Sequence, residues 1–258
     1  MRTRNCFPRF KIVALTWALQ LCQTAPVAGQ NNVSEFAQSV TTHVVLHEIG
    51  HAVFREFGIP ILANEENMAD SFATTYITQN MRDDAVDIIL ARAQSWQYED
   101  SEVEPKDYDH KGEHELDIRR AYQAACLLYG ADPAEWGEAR AWADFSDSDA
   151  ADCSDTAPDQ IEGWSQVLAP NLLPPGEESE NVELIFGEGP LKEHVQASGM
   201  MERLAEIARR FDWPKPIILH FDQCDKGSSW NRKARRILLC DDYVMRFIHQ
   251  GEQIKDQR

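Results

Sequence analysis

Two histidines four residues apart, with a glutamate directly after the first, suit metal-assisted hydrolysis, and the chain carries them as His47-Glu48-Ile49-Gly50-His51. On a helix, positions i and i+4 stand one turn apart on a single face. His47 and His51 then aim two imidazoles at one metal ion, and Glu48 leans to the side where the attacking water would lie. A catalytic zinc site takes three protein ligands and keeps a fourth position open. The extended pattern His-Glu-x-x-His-x-x-Gly-x-x-His would supply a third histidine, but Phe54 and Phe57 stand where its glycine and last histidine would be. The other pattern is Glu-x-x-x-Asp on the following helix, met here by Glu66-Asn67-Met68-Ala69-Asp70. Glu66 is the expected third ligand. Glu65 competes with it, but only Glu66 has an aspartate four residues on. Asp70 is expected to accept a hydrogen bond from the free ring N–H of a ligand histidine and so fix its tautomer.

The ligand set implies a chemistry. Zinc lowers the pKa of a bound water toward ~7 and polarises a carbonyl. Glu48 is the expected general base, taking the proton and passing it to a leaving amine. A tetrahedral oxyanion needs a further donor, and His114, His110 and Tyr76 are the candidates. His114 is preferred, because residues 112–117 are expected to open a helix on which Asp117 orients its ring. His43, one turn before His47, is expected to line the cleft or meet solvent.

These side chains must be positioned by helices. Val40, Val44, Ile49, Val53 and Phe57 recur at helical spacing, with Ser39, Thr41 and Thr42 as possible caps and Gly58 and Pro60 as a stop. Asn64 can cap a second helix reaching about Asn80, and a third is expected over 84–96, followed by an acidic loop at 99–109. Helices are expected from 115 to 130, over 133–145 and over 159–168, with an acidic loop at 147–155 around Cys153. Trp136, Trp142 and Trp164 are expected core anchors. After a linker at 176–181 the texture changes: strands at 182–186, 217–221 and 236–240, a long helix at 190–211, a polar loop at 225–233 and a last helix at 242–254. The expected fold class is α+β: a mainly helical zincin-like core with a small mixed or antiparallel sheet from the C-terminal segment.

A chain of 258 residues, 43% hydrophobic, can bury a sizeable core. Its formal charge of -18 argues against a nucleic-acid partner, which needs a basic surface. Residues 1–29 have the layout of a signal peptide. Arg2, Arg4, Arg9 and Lys11 precede a short apolar run, and Val27-Ala28-Gly29 offers small residues for cleavage near Gln30. The expected location is therefore periplasmic or secreted, with membrane contact only through this segment before cleavage. In an exported chain, Cys126, Cys153, Cys224 and Cys240 are expected to form disulfides. Of three connectivities, Cys126–Cys153 with Cys224–Cys240 is favoured, because each pair closes a local loop.

The run from His47-Glu48-Ile49-Gly50-His51-Ala52 through Glu65-Glu66 and Ala69-Asp70 resembles the DUF4344 family of exported bacterial metallopeptidases. So do residues 112–120, Cys126-Leu127-Leu128-Tyr129-Gly130, Asp132-Pro133, Cys153 and Trp164, over about residues 35–170. The resemblance implies a gluzincin-like zinc hydrolase with His47, His51 and Glu66 as ligands and Glu48 as base. In that family the strand, helix, cysteine-flanked hairpin and helix come before the zinc helix, whereas here they follow it. A circular permutation would place 30–35 beside the C-terminal helix; the alternative is a separate α/β module on a Pro-rich linker. The expected organisation is a signal peptide at 1–29, a helical zinc-site region at 30–175 and a strand-rich region at 176–258, packing as one domain. The expected function is a zinc peptidase acting on a peptide or protein, and the alternative is a catalytically silent zinc-binding interaction protein.

Overall fold

The first helix, α1 (Glu35–Glu56), is buried at every residue from 40 to 50. A helix closed in on all sides has to be the centre of a fold rather than its surface. In the computed structural model, which describes residues 33–62 and 64–256, α1 fills that place. The expected signal segment at 1–29 lies outside the described residues. Ser34 caps α1, its Oγ accepting from the Ala37 N–H at 3.2 Å, so the helix starts before Ser39, Thr41 and Thr42. Those three lie inside it, and the Thr42 hydroxyl donates to the Gln38 carbonyl at 2.8 Å. The early turn is held by Phe36, whose ring lies 2.9 Å from where a Cβ on Gly251 would stand. The start of α1 therefore sits on the C-terminal helix.

A tight connection through Gly58 leads to α2 (Glu65–Asn80), capped as expected by Asn64, whose Oδ1 accepts from the Glu66 and Asn67 N–H groups. Next come α3 (Ala85–Ser101), longer than expected, then α4 (Asp117–Ala131) and the short α5 (Gly137–Ala143). The acidic run at 147–155 is not a loop. It opens α6 (Asp147–Leu168), which continues through Pro158. Ser146 and Asp149 form a capping box. Ala150, Cys153, Ala157, Trp164 and Leu168 make its buried stripe. Cys126 of α4 is bonded to Cys153 of α6. Trp136 and Trp164 are buried, and Trp142 packs at the edge of the core.

The C-terminal segment supplies the sheet: β1 (Val182–Phe186), β2 (Ile217–Asp222), β3 (Ser228–Asn231) and β4 (Arg236–Cys240), in spatial order β1-β2-β4-β3. β1, β2 and β4 run parallel, and β3 pairs antiparallel with β4. Strands 217–221 and 236–240 are thus not a hairpin; the hairpin is β3–β4, and β3 arises inside the expected polar loop. The Cys224–Cys240 bond ties the end of β4 to the loop before β3. The expected helix at 190–211 is two, α7 (Lys192–Ser198) and α8 (Met200–Ala208), because Gly199 adopts φ 65° between them. The last helix is α9 (Asp241–Asp256). α1 packs against α2, α3, α8, α9, β3 and β4. The fold is α+β, mainly helical with a four-stranded mixed sheet. Among the described residues, no helix is long and apolar enough to cross a membrane.

Candidate metal centre

α1 and α2 cross so that three ligand atoms converge. His47 Nε2 lies 3.1 Å from His51 Nε2 and 3.1 Å from Glu66 Oε2, and His51 Nε2 lies 3.3 Å from that oxygen. Zn–N and Zn–O bonds of ~2.0–2.1 Å in a tetrahedron put ligand atoms about 3.3 Å apart, so the triangle has the size of one tetrahedral face. The second nitrogen of each ring faces a carboxylate. His47 Nδ1 is 2.8 Å from Asp70 Oδ1, and His51 Nδ1 is 3.1 Å from Glu65 Oε1. A ring whose Nδ1–H is donated turns the lone pair of Nε2 outward. Two such lone pairs and a carboxylate meeting at 3.1–3.3 Å repel one another unless a proton or a metal ion sits between them. The residues present fit a divalent metal.

The electrostatics agree. Burial works against charge on His47, but hydrogen bonds to Asp70 and Glu66 outweigh it and push the imidazole up to about 9. Burial opposes charge on His51 too, and the Glu66 contact leads the groups that raise it. Burial likewise opposes charge on Glu66, yet His114, His47 and His51 hold its carboxyl well below the usual range. Asp70 is buried, and Arg120 with His47 holds it far down as well. The cluster is built to keep a positive charge at its centre.

Asp70 is anchored from behind: Arg120 Nε donates to its Oδ2 at 2.7 Å and Arg120 Nη2 to its Oδ1 at 3.0 Å. Glu65, weighed above as a ligand, is instead the partner of His51 and of Arg55, whose Nε donates to it at 3.0 Å. Sequence reasoning missed Arg120 and Arg55, and only the latter had a local signal, one turn beyond His51 on the same helix. His43 does not meet solvent. It is 1% exposed, 3.1 Å from Thr74 Oγ1, and burial drives it down to about 3.

These side chains line a cleft of about 970 Å³, whose far wall is the loop at 225–227 with Ser228, Ser229 and Trp230 of β3. Glu48 is 9% exposed and lines it. Burial pushes its carboxyl up; His47, His51 and a hydrogen bond from the Trp230 backbone N–H pull the other way. Among the described residues β3 is an edge of the sheet, so the strand that meets Glu48 has a side unpaired there. His114 Nε2 lies 2.9 Å from Glu66 Oε2, and its ring stacks parallel to His47 at 6.2 Å. It precedes α4 rather than opening it, because the helix begins at Asp117. Asp117 does not orient it but accepts from Arg120 Nη1 at 3.3 Å. Of the other two donor candidates, Tyr76 is buried against Phe72 and Phe211, and His110 sits in an exposed loop beside Tyr108.

Among curated proteins and among solved structures, nothing matches the chain. A family model does: DUF4344, described as "Putative metallopeptidase", matches residues 14–168, which hold the convergent histidines, Glu66, Asp70 and Arg120. The match spans more than half of the chain, and the protein belongs to the DUF4344 family.

Proposed function

We propose that the protein is a zinc-dependent peptidase that works outside the cytoplasm. The observation that carries this is the triangle of His47 Nε2, His51 Nε2 and Glu66 Oε2, with edges of 3.1–3.3 Å, beside the carboxylate of Glu48. His47, His51 and Glu66 would hold the ion. When bound, zinc supplies a Lewis acid that acidifies a water and polarises a carbonyl. Glu48 accepts a proton at its carboxylate and returns it to the leaving amine. Its burial favours the protonated form, which suits a group that must carry the proton between two steps. The Trp230 N–H fixes the carboxylate's orientation. His114, half exposed beside Glu66, is the side chain available to donate to a developing oxyanion. The free side of β3 is suited to an extended peptide, which adds to a sheet edge through its backbone. The two disulfides and the signal-like segment at 1–29 support an exported location.

The test is zinc content together with cleavage of a peptide library, for wild type and Glu48→Gln. The expected result is one zinc per chain in both and cleavage only by wild type, with a loss of at least ~100-fold in the variant. Stoichiometric zinc without any Glu48-dependent cleavage would leave the other reading, a zinc-binding interaction protein. Absence of bound zinc would remove both.

A further inference from the structure

The cleft continues past the three converging ligands, and one turn of α1 back from His47 its wall becomes basic. Arg92 lines it while only 4% exposed. Its guanidinium lies 4.1 Å over the Trp96 ring, and that of Arg120 lies 4.5 Å over the same ring. His43 meets that ring edge-on at 5.3 Å. Arg120 is fully engaged by Asp70 and Asp117. Arg92 is not. Its Nη1 donates to Ser95 Oγ at 3.0 Å, and Glu99 Oε2 stands 3.8 Å away. Its Nε is buried with no partner among the described residues. Glu99 is itself shared, since its Oε1 accepts from Arg246 at 3.0 Å and from Gln250 at 3.1 Å. Two guanidinium groups therefore lean on one carboxylate.

Tyr243 completes this end. Its ring is 5.9 Å from Arg246 Cζ, and its hydroxyl has no hydrogen bond among the described residues. Burial pushes the phenol up, so it stays a donor. Asp242 stands at the exposed rim of the same end and opposes an incoming anion only from there. A planar guanidinium with unfilled donors, next to a phenol, matches the geometry of a carboxylate. His43 and His47 are one helical turn apart, about 6 Å. One peptide residue spans about 3.5 Å.

We propose that Arg92, Tyr243 and Arg246, at the His43 end of the cleft, bind a substrate carboxylate one or two residues from the cleaved bond. The carboxylate is either an acidic side chain or a free C-terminus. This deepens the peptidase reading and rests on it. It also sets this end of the cleft apart from the rest of a strongly acidic chain, which would repel such a group.

Two matched peptide series test it on the full protein with zinc added. One exchanges Glu for Gln at each position flanking the cleaved bond; the other exchanges a free C-terminal acid for its amide. Cleavage is read as kcat/KM with wild type. Binding is read by fluorescence anisotropy with Glu48→Gln, which needs no turnover. The expected result is a preference of ~10-fold or more for the carboxylate member of one series, in both readouts. That preference should fall within about twofold in Arg92→Gln, and partly in Tyr243→Phe and Arg246→Gln. If Arg92→Gln fails a thermal-melt check of folding, the other two variants carry the test. The responding series tells a side chain from a C-terminus. Binding that favours the carboxylate with no cleavage by wild type keeps the pocket and sinks the peptidase. Cleavage and binding indifferent to the carboxylate in both series overturn the pocket and leave the peptidase. A protein that neither binds nor cleaves any peptide overturns both.

Discussion

Asp70 serves two masters with one carboxylate, since the same Oδ1 accepts from His47 Nδ1 at 2.8 Å and from Arg120 Nη2 at 3.0 Å. Asp70→Asn keeps the shape and deletes the charge. Arg120, with only 9% of its side chain exposed, is then left with Asp117 alone at 3.3 Å. The expected outcome is a ~10–100-fold loss of zinc affinity, together with a clear drop in melting temperature from a buried cation losing its main counter-ion. Glu65→Gln makes the same exchange on His51, but Arg55 is 37% exposed and keeps its water. Its melting temperature should barely move, and its affinity loss should stay below ~10-fold. Competition against a chromophoric chelator, with thermal denaturation beside it, checks the ranking. Equal losses at the two positions would refute it. Asp70 was legible because helix geometry ties it to Glu66. Arg120 was not, because it lies 50 residues from Asp70 and meets it only when α2 and α4 pack together.

The α1–α2 contact sets the spacing of His47, His51 and Glu66, and Gly50 lies in it. A Cβ at Gly50 would stand 2.9 Å from Phe72 Cδ1 and 3.5 Å from the Ala69 Cα. The Phe72 ring has no room to step aside, since it packs against Trp164 at 5.7 Å, Tyr76 at 6.0 Å and Phe54 at 6.1 Å. Gly50→Ala gains about 1 kcal/mol of helix propensity and loses about 1–3 kcal/mol to overpacking. A lower melting temperature and weaker zinc binding are expected together, because Glu66 moves with α2. A variant that melts higher would show that propensity wins and the helices are not in tight contact. At this scale the sequence was readable wherever an apolar period or a cap was plain, as at 182–186 and at Asn64. It was opaque in the first half of α6, whose buried alanines and cysteine lie among aspartates ahead of Pro158, while the second half at 159–168 was plain. It was opaque again in β3, where Ser228, Ser229 and Asn231 carry no alternation and pairing with β4 alone makes a strand. Gly199 has the opposite lesson: the apolar period runs straight through it, and only its positive φ divides the helix.

Among the described residues the chain is closed at two places by disulfides, and they do different things. Cys126–Cys153 spans 27 residues and joins α4 to α6; Cys224–Cys240 spans 16 and ties down the loop at 225–227, which forms one wall of the cleft. Chain entropy gives about 3.5 and 3 kcal/mol for loops of these lengths, so stability alone would not tell them apart. Position does. α1 brings Glu48 to the site, while β3, whose Trp230 N–H reaches that carboxylate, comes from the far end of the chain. The packing of α1 on β3, β4 and α9 brings the two together, and the Cys224–Cys240 bond holds the strand's approach. If the protein is the zinc peptidase proposed, Cys224→Ser with Cys240→Ala should leave zinc stoichiometry intact but raise KM for peptides several-fold, because the wall proposed to receive them loosens. Cys126→Ala with Cys153→Ala should lower the melting temperature by a similar amount and leave KM close to wild type at a temperature where both variants are folded. Steady-state kinetics on the two double variants, matched for folded fraction, decide it. If both raise KM equally, the Cys224–Cys240 bond has no special part in holding the wall of the cleft.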